Sequence, residues 1–444
     1  MKKISILFGA AFAMLLSSCS GDEYLNTIPK GSTALVSVDP AAMVTDRSDQ
    51  PQVLETLLHL SAGESSGVDT SSKYYLFVSP DGNLGMTVRV EDSRLLEKQL
   101  NDLAKKGVCQ SVTERKDIHY TFVDDKWVVG FNDQALVMLG PVVAARQTQT
   151  EQQIARYLRQ DKKAGITESR MFQKLDSIPS AIAMVAQVAA LPEQFAAPLM
   201  LGAPKTADAS QVLIAASLQA EDQVLCIQGA PFSFNTSIDR SLKAATEIFR
   251  PMEGRFVNNL HPQAVLSLLT QVQGSQFLPL LQENKALNTL LMGVNTAIDM
   301  NSVIRSVDGD LLLSLNTIGE GRLKMVMGAQ MGSTEFWKQA DYWRKTAPRD
   351  FQFTLDQSDP SQKAEFLCGN EPLASLSRRS EPAMNASVVG RLKGQRLCMV
   401  LNLHALDEGL SQTVSSFLTP LFGQVSTLIY SLDTPQTDEN QTQK

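Results

Sequence analysis

Histidine, cysteine and tryptophan are scarce in this chain of 444 residues, with four, five and three copies. No Cys-x-x-Cys occurs, and none of His59, His119, His261 and His404 has a second histidine or a cysteine at ligand spacing. No metal, cofactor or catalytic residue is therefore expected. His59 sits in a leucine-rich helical pattern, His119 heads a strand, His261 precedes a proline and His404 follows a strand end, so each reads as a boundary or surface residue. Clustered basic residues are lacking too. Forty Lys+Arg stand against forty-seven Asp+Glu, a net charge of −7, which excludes nucleic acid as a partner. Three tryptophans and seven tyrosines leave little for an aromatic carbohydrate platform. The longest apolar stretch beyond the first turns of the chain, residues 181–203, is interrupted by Gln187, Pro192, Glu193, Gln194 and Pro198, so no membrane span is expected there.

What is present is a globular composition, 43% hydrophobic and 20% charged, enough for a sizeable core and for two or three domains. The chain opens with Lys2-Lys3, an apolar run over residues 4–16 and the sequence Leu16-Ser17-Ser18-Cys19. Length and flanks suit a secretory signal and are too short for a bilayer-spanning helix. The Leu-Ser-Ser-Cys end resembles a bacterial lipobox, which implies removal of residues 1–18 and attachment of fatty acyl (palmitate) chains to Cys19. Residues 19–27, with Ser20-Gly21-Asp22-Glu23, form an expected flexible tether. The acidic segment loosely resembles the signal that sends Bacteroidota lipoproteins to the cell surface. With Cys19 acylated, Cys109, Cys226, Cys368 and Cys398 remain. They allow three pairings, but Cys226 and Cys398 lie in apolar strand-like runs, so buried free thiols are the expectation.

Tyr24-Leu25-Asn26-Thr27-Ile28-Pro29-Lys30 followed by Ala34-Leu35-Val36-Ser37-Val38-Asp39, and later Ile304-Arg305-Ser306-Val307-Asp308-Gly309-Asp310-Leu311, resemble an uncharacterised Bacteroidota lipoprotein family, the domain of unknown function numbered 4836. The resemblance implies a lineage and a compartment. It carries no catalytic residue across.

A proline precedes an apolar run three times: Ile28-Pro29 before residues 34–38, Ile178-Pro179 before 181–188 and His261-Pro262 before 264–272. Proline suits the entry of an element, where no backbone donor is needed, and the echo suggests repeated modules. Within each, helical spacing alternates with strand pairs, as in Leu96, Leu100 and Leu103 after the turn Pro80-Asp81-Gly82-Asn83. The expected fold is therefore α+β, with repeated modules of antiparallel sheet and helices packed on one face. The expected order is a first module at 28–141, a helical connector at 142–175, a second module at 176–255, a third at 256–433 and a polar tail at 434–444. The third is expected to hold one helix over 277–291, a strand over 391–403 and a last helix over 410–421.

Few motifs carry chemistry. Gly63-Glu64-Ser65-Ser66-Gly67 fits G-x-S-x-G, but a helical pattern precedes the serine and a polar loop follows it, the reverse of a nucleophile elbow. Asp308-Gly309-Asp310 lacks the other ligands of a calcium loop and reads as a turn. Asp176-Ser177-Ile178 resembles the site at which Bacteroidota attach O-glycans, making Ser177 the acceptor. Phe336, Trp337, Tyr342 and Trp343 share one helix and cover too much of its circumference for a single buried stripe, so they form either packing or a contact patch. Taken together, the sequence predicts a lipid-anchored protein at the surface or periplasmic face of the outer membrane. Its role is a non-catalytic binding or interaction module with a protein or glycan partner. An envelope, polysaccharide or peptide hydrolase and a structural spacer are the alternatives.

Overall fold

The computed structural model describes residues 21–42 and 66–432, apart from 192, 296–297, 318–323, 378–381, 383 and scattered positions between 407 and 421. Cys19, His59, Gly63-Glu64-Ser65, most of the expected helix over 410–421 and the 434–444 tail lie outside the described residues. The chain divides into two compact units, Met1–Ala181 and Ile182–Lys444.

In the first unit seven described strands form an antiparallel sheet: β1 (Ala34–Val38), β2 (Tyr74–Val78), β3 (Leu84–Arg89), β4 (Thr113–Arg115), β5 (Ile118–Val123), β6 (Trp127–Phe131) and β7 (Ala135–Gly140). Their order is β1-β2-β3-β7-β6-β5-β4. Tight turns set the registers. Lys116 and Asp117, with φ of 52° and 61°, form the two-residue turn between β4 and β5, and Asp124 and Asp125, both at 49°, start the three-residue turn between β5 and β6, paired left-handed conformations that match the strand twist. Helix α1 (Ser93–Lys105) starts where Asp92 accepts the N–H groups of Arg94 and Leu95, and it buries Leu96, Leu100 and Leu103.

The stretch expected to connect modules instead belongs to this unit's core. Helix α2 (Gln147–Leu158) packs on β6 and β7, and it approaches so closely that a Cβ at Gly130 would lie 2.5 Å from Ile154. Its polar composition concealed this, because Gln153 and Tyr157 are buried as a hydrogen-bonded pair (2.7 Å) beside Ile154 and Leu158. Helix α3 (Arg170–Asp176) then packs on β1.

The second unit contains ten described strands: β8 (Ile182–Gln187), β9 (Leu213–Glu221), β10 (Val224–Phe232), β11 (Leu266–Gln273), β12 (Val307–Thr317), β13 (Lys324–Met331), β14 (Gln352–Asp356), β15 (Ala364–Gly369), β16 (Leu397–Asn402) and β17 (Thr427–Leu432). They pair in the order β8-β9-β10-β17-β16-β11-β12-β13-β15-β14. All these pairs are antiparallel except β10 with β17, which run parallel from Val224↔Thr427 to Gly229↔Leu432. That pair joins what the sequence suggested were separate second and third modules into one sheet. The helices are α4 (Glu193–Leu199), α5 (Thr236–Thr246), α6 (Gly274–Glu283), α7 (Lys285–Asn295), α8 (Met300–Arg305), α9 (Ala340–Thr346) and α10 (Ala386–Gly390).

The class is α+β, but the sheet of this unit is covered on both faces. Leu311, Met325, Met327 and Phe366 pack with α6, α8 and α9. The alternate residues Leu269, Leu312, Val326 and Ile429 pack with Phe256, Val257, Leu260 and the α10 valines Val388 and Val389. Successive strand residues point to opposite faces, so a strand buried on both sides reads as a continuous apolar run, as Leu311-Leu312-Leu313 does. All four described cysteines are free, with Cys368 and Cys398 buried and Cys109 and Cys226 half-buried. No described helix is long and apolar enough to cross a membrane.

Candidate functional site, an apolar cavity in the second unit

The cavity forms on one face of the β11–β12–β13 ribbon. Register brings Leu266 opposite Leu315, Leu268 opposite Leu313, and Leu313 and Leu315 opposite Met327 and Met325. These residues share one face by the two-residue strand period. Their neighbours on the other face, Leu269 and Leu312, are 1% and 0% exposed, whereas Leu268, Leu313 and Leu315 are only partly buried. The ribbon is sealed on one side and open on the other.

Helices roof that open side at a distance. Ala197 and Pro198 of α4, Leu201, Phe277 and Leu281 of α6, Ala286, Leu287, Leu291 and Val294 of α7, and Met300 and Ile304 of α8 complete a cavity of about 530 Å³. A single helix over 277–291, as the sequence suggested, would run straight. Asn284 instead breaks it: its side chain accepts the Leu287 N–H (3.1 Å), capping α7, and donates to the Ala197 carbonyl (2.8 Å), tying α7 to α4. Gly274 at the start of α6 abuts the Ile304 carbonyl so closely that no Cβ fits there. The two helices therefore bend around a space that they do not fill.

Every described side chain on the wall is apolar, and three are methionines, whose unbranched and polarizable chains adapt to the shape of a guest. Met292, on the outer side of α7, is 63% exposed. Such a cavity can hold an aliphatic group and desolvate it; it offers no group for acid, base or nucleophilic chemistry. Among the described residues no group of three or more His, Cys, Asp or Glu side chains is arranged to hold a metal ion.

The residues singled out from sequence lie elsewhere. Phe336 and Trp343 are core residues, stacked at 6.3 Å and 17°, with Phe366 edge-on to Phe336 at 5.3 Å. Trp337 packs against Phe353 and Phe366, leaving only Tyr342 exposed, at 67%. The four-residue contact patch does not form, because a tighter 3-10 turn at Glu335–Gln339 precedes α9 and brings Phe336 and Trp343 to the same side. Ser177 is exposed at the end of α3, its hydroxyl donating to the Lys174 carbonyl (2.7 Å). His119 stacks on Phe131 at 5.0 Å, His261 accepts the Gln263 N–H, and His404 is exposed.

Asp308-Gly309-Asp310 is not a free turn but the irregular start of β12. The Asp310 carboxylate accepts the N–H groups of Glu253, Gly254 and Arg255 at 3.0, 2.6 and 2.7 Å, while the Asp310 N–H donates to Gln330 Oε1 at 2.8 Å. Burial nevertheless pushes its carboxyl above the usual range. Gly309, at φ 149°, leaves room for Gln330, whose Oε1 would lie 2.6 Å from a Cβ there. Beside it Arg255 forms a two-pronged pair with Glu365 at 2.7 and 2.6 Å, both side chains 7% exposed, and Asn259 donates to the carbonyls of Ser375 and Ser377. This network clamps the 253–259 segment to the sheet face opposite the cavity. The cavity itself was missed in the sequence, where residues 310–315 and 322–327 read only as a strand pair; the partial exposure of Leu268, Leu313 and Leu315, which marks the open face, is a tertiary property.

No curated protein and no solved structure matches the chain. A family description does match, over residues 24–345, a span that takes in the cavity and the Asp308-Gly309-Asp310 clamp. The chain belongs to the family described as Domain of unknown function (DUF4836).

Proposed function

We propose that the chain is a lipid-anchored, non-catalytic binding module of the cell envelope, held at the outer membrane through Cys19, and that its second unit takes up an aliphatic ligand. The observation that carries the ligand is the cavity, whose volume of about 530 Å³ falls in the range of small-molecule sites and whose wall is apolar throughout. The anchor rests on the lipobox-like Leu16-Ser17-Ser18-Cys19. Ser177, exposed and near the end of the first unit, is the proposed O-glycan acceptor.

Repetition also belongs to this reading. Three times a strand pairs antiparallel with the first strand of a following hairpin: β1 with β2–β3, β8 with β9–β10, and β11 with β12–β13. Each hairpin leads into a helical segment, α1 after Asp92, α5 after Asn235, and the Glu335–Gln339 turn with α9. The stretch inserted between β11 and β12, with α6, α7 and α8, is longer than that between β8 and β9, and its helices roof the cavity.

The test is displacement of a fluorescent fatty acid from the purified Cys19→Ala chain. Binding in the micromolar range or tighter, lost in Leu313→Trp while the melting temperature holds, is the expected result. Equal binding by both proteins, or none by either, would refute the cavity as the site.

A further inference from the structure

The first unit holds a second concavity of opposite character. A groove of about 790 Å³ runs along one face of α2, from Thr148 to Arg159, and its other wall is the β4–β5 turn. Eleven helical steps at 1.5 Å make it about 16 Å long. Four cations line it, Arg115, Lys116, Arg156 and Arg159, in a chain whose net charge is −7.

The two carboxylates present are already engaged. Glu151, only 10% exposed, accepts from Arg115 at 2.7 Å and from Gln147 at 3.2 Å. Asp161 accepts the N–H groups of Lys163 and Ala164 at 3.1 Å each. These bonds leave Lys116 and Arg156 without an ion pair among the described residues, and they hold Arg115 in place. Arg159 is restrained as well, donating to the Lys116 carbonyl at 2.8 Å. Two guanidinium groups are thus positioned before any ligand arrives, which lowers the entropy cost of binding. Tyr120, buried at 5% exposure, lines the groove, and burial raises its phenol above the usual range, so it keeps its proton and can donate.

We propose that this groove binds the phosphate monoester of a small polyhydroxylated molecule. Planar guanidinium forks match phosphate oxygens in pairs, and a lysine adds a mobile point charge. The groove is far longer than a bare phosphate, and Thr148 and Gln152 along the remaining helix face suit hydroxyl groups rather than apolar ones. A soluble sugar phosphate and a lipid whose headgroup is a phosphorylated polyol present the same chemistry.

Calorimetric titration of the full chain with glucose 1-phosphate tests the site, with glucose as the neutral control. Binding that weakens at least tenfold in Lys116→Gln/Arg156→Gln, is unchanged in Lys243→Gln and falls with added salt is expected. Both substituted side chains are exposed, so the double variant should melt as the parent does. Sedimentation with vesicles of phosphatidylcholine containing phosphatidylinositol 4-phosphate, against phosphatidylcholine alone, identifies the source. Vesicle capture lost in the double variant points to a lipid headgroup, whereas glucose 1-phosphate binding without capture points to a soluble ester. Absence of binding to both, or binding that the double variant retains in full, overturns the proposal.

Discussion

Arg255 and Glu365 show how much rests on single side chains. Their charges are withdrawn from water, and the two-pronged pairing offsets the cost of burying them. Arg255→Met would remove the two-pronged partner of the buried Glu365 carboxylate and the donors to Asn259 and the Leu376 carbonyl. A loss of about 3–5 kcal/mol is expected in urea unfolding. Asp69 behaves differently. Burial acts to raise its pKa, but hydrogen bonds from the hydroxyl and N–H groups of Ser71 and Ser72 outweigh it and bring the carboxyl from 3.8 to about 2. A depressed acid stabilises the fold above its unfolded pKa and ceases to do so as pH falls through its folded one. The stability difference between the parent and Asp69→Asn should thus be constant at neutral pH and shrink between pH 3.8 and about 2.

At the scale of elements, helix starts are the clearest local signals. Asn235 accepts the N–H groups of Ser237 and Ile238 at 3.0 and 3.4 Å, so Asn235→Ala should cost about 1 kcal/mol of stability in chemical denaturation, while Asn235→Asp should cost far less. The same chemistry explains what could be read in advance. Pro80-Asp81-Gly82-Asn83 and the Leu96, Leu100, Leu103 spacing announced the β2–β3 hairpin and α1, because turn and helix periodicities are local. β15 and β17 escaped, since Ala364–Gly369 follows a polar run and Thr427–Leu432 mixes polar with apolar residues; both are strands because neighbouring strands pair with them. The break at Asn284 was hidden for a similar reason, as its partner Ala197 lies far away in sequence. The Phe336, Trp337, Tyr342, Trp343 cluster was a question of helix phase, which a 3-10 turn altered.

For the whole molecule, one sheet in the second unit has a face closed by the Asp310 and Arg255 clamp and a face held open beneath α4, α6, α7 and α8. The Ile304 to Leu311 stretch serves both faces: Gly309 and Asp310 belong to the closed side, and Ile304 and Leu311 line the cavity. The measurement that tests this most directly is the affinity of a series of straight-chain alkanols for the purified chain, read by displacement of a fluorescent fatty acid. A cavity that buries the chain predicts a gain of about 0.8 kcal/mol, roughly fourfold, for each added methylene until the space is full, and a plateau beyond it. Affinities that do not rise with chain length, or that rise equally in Leu313→Trp, would contradict the account.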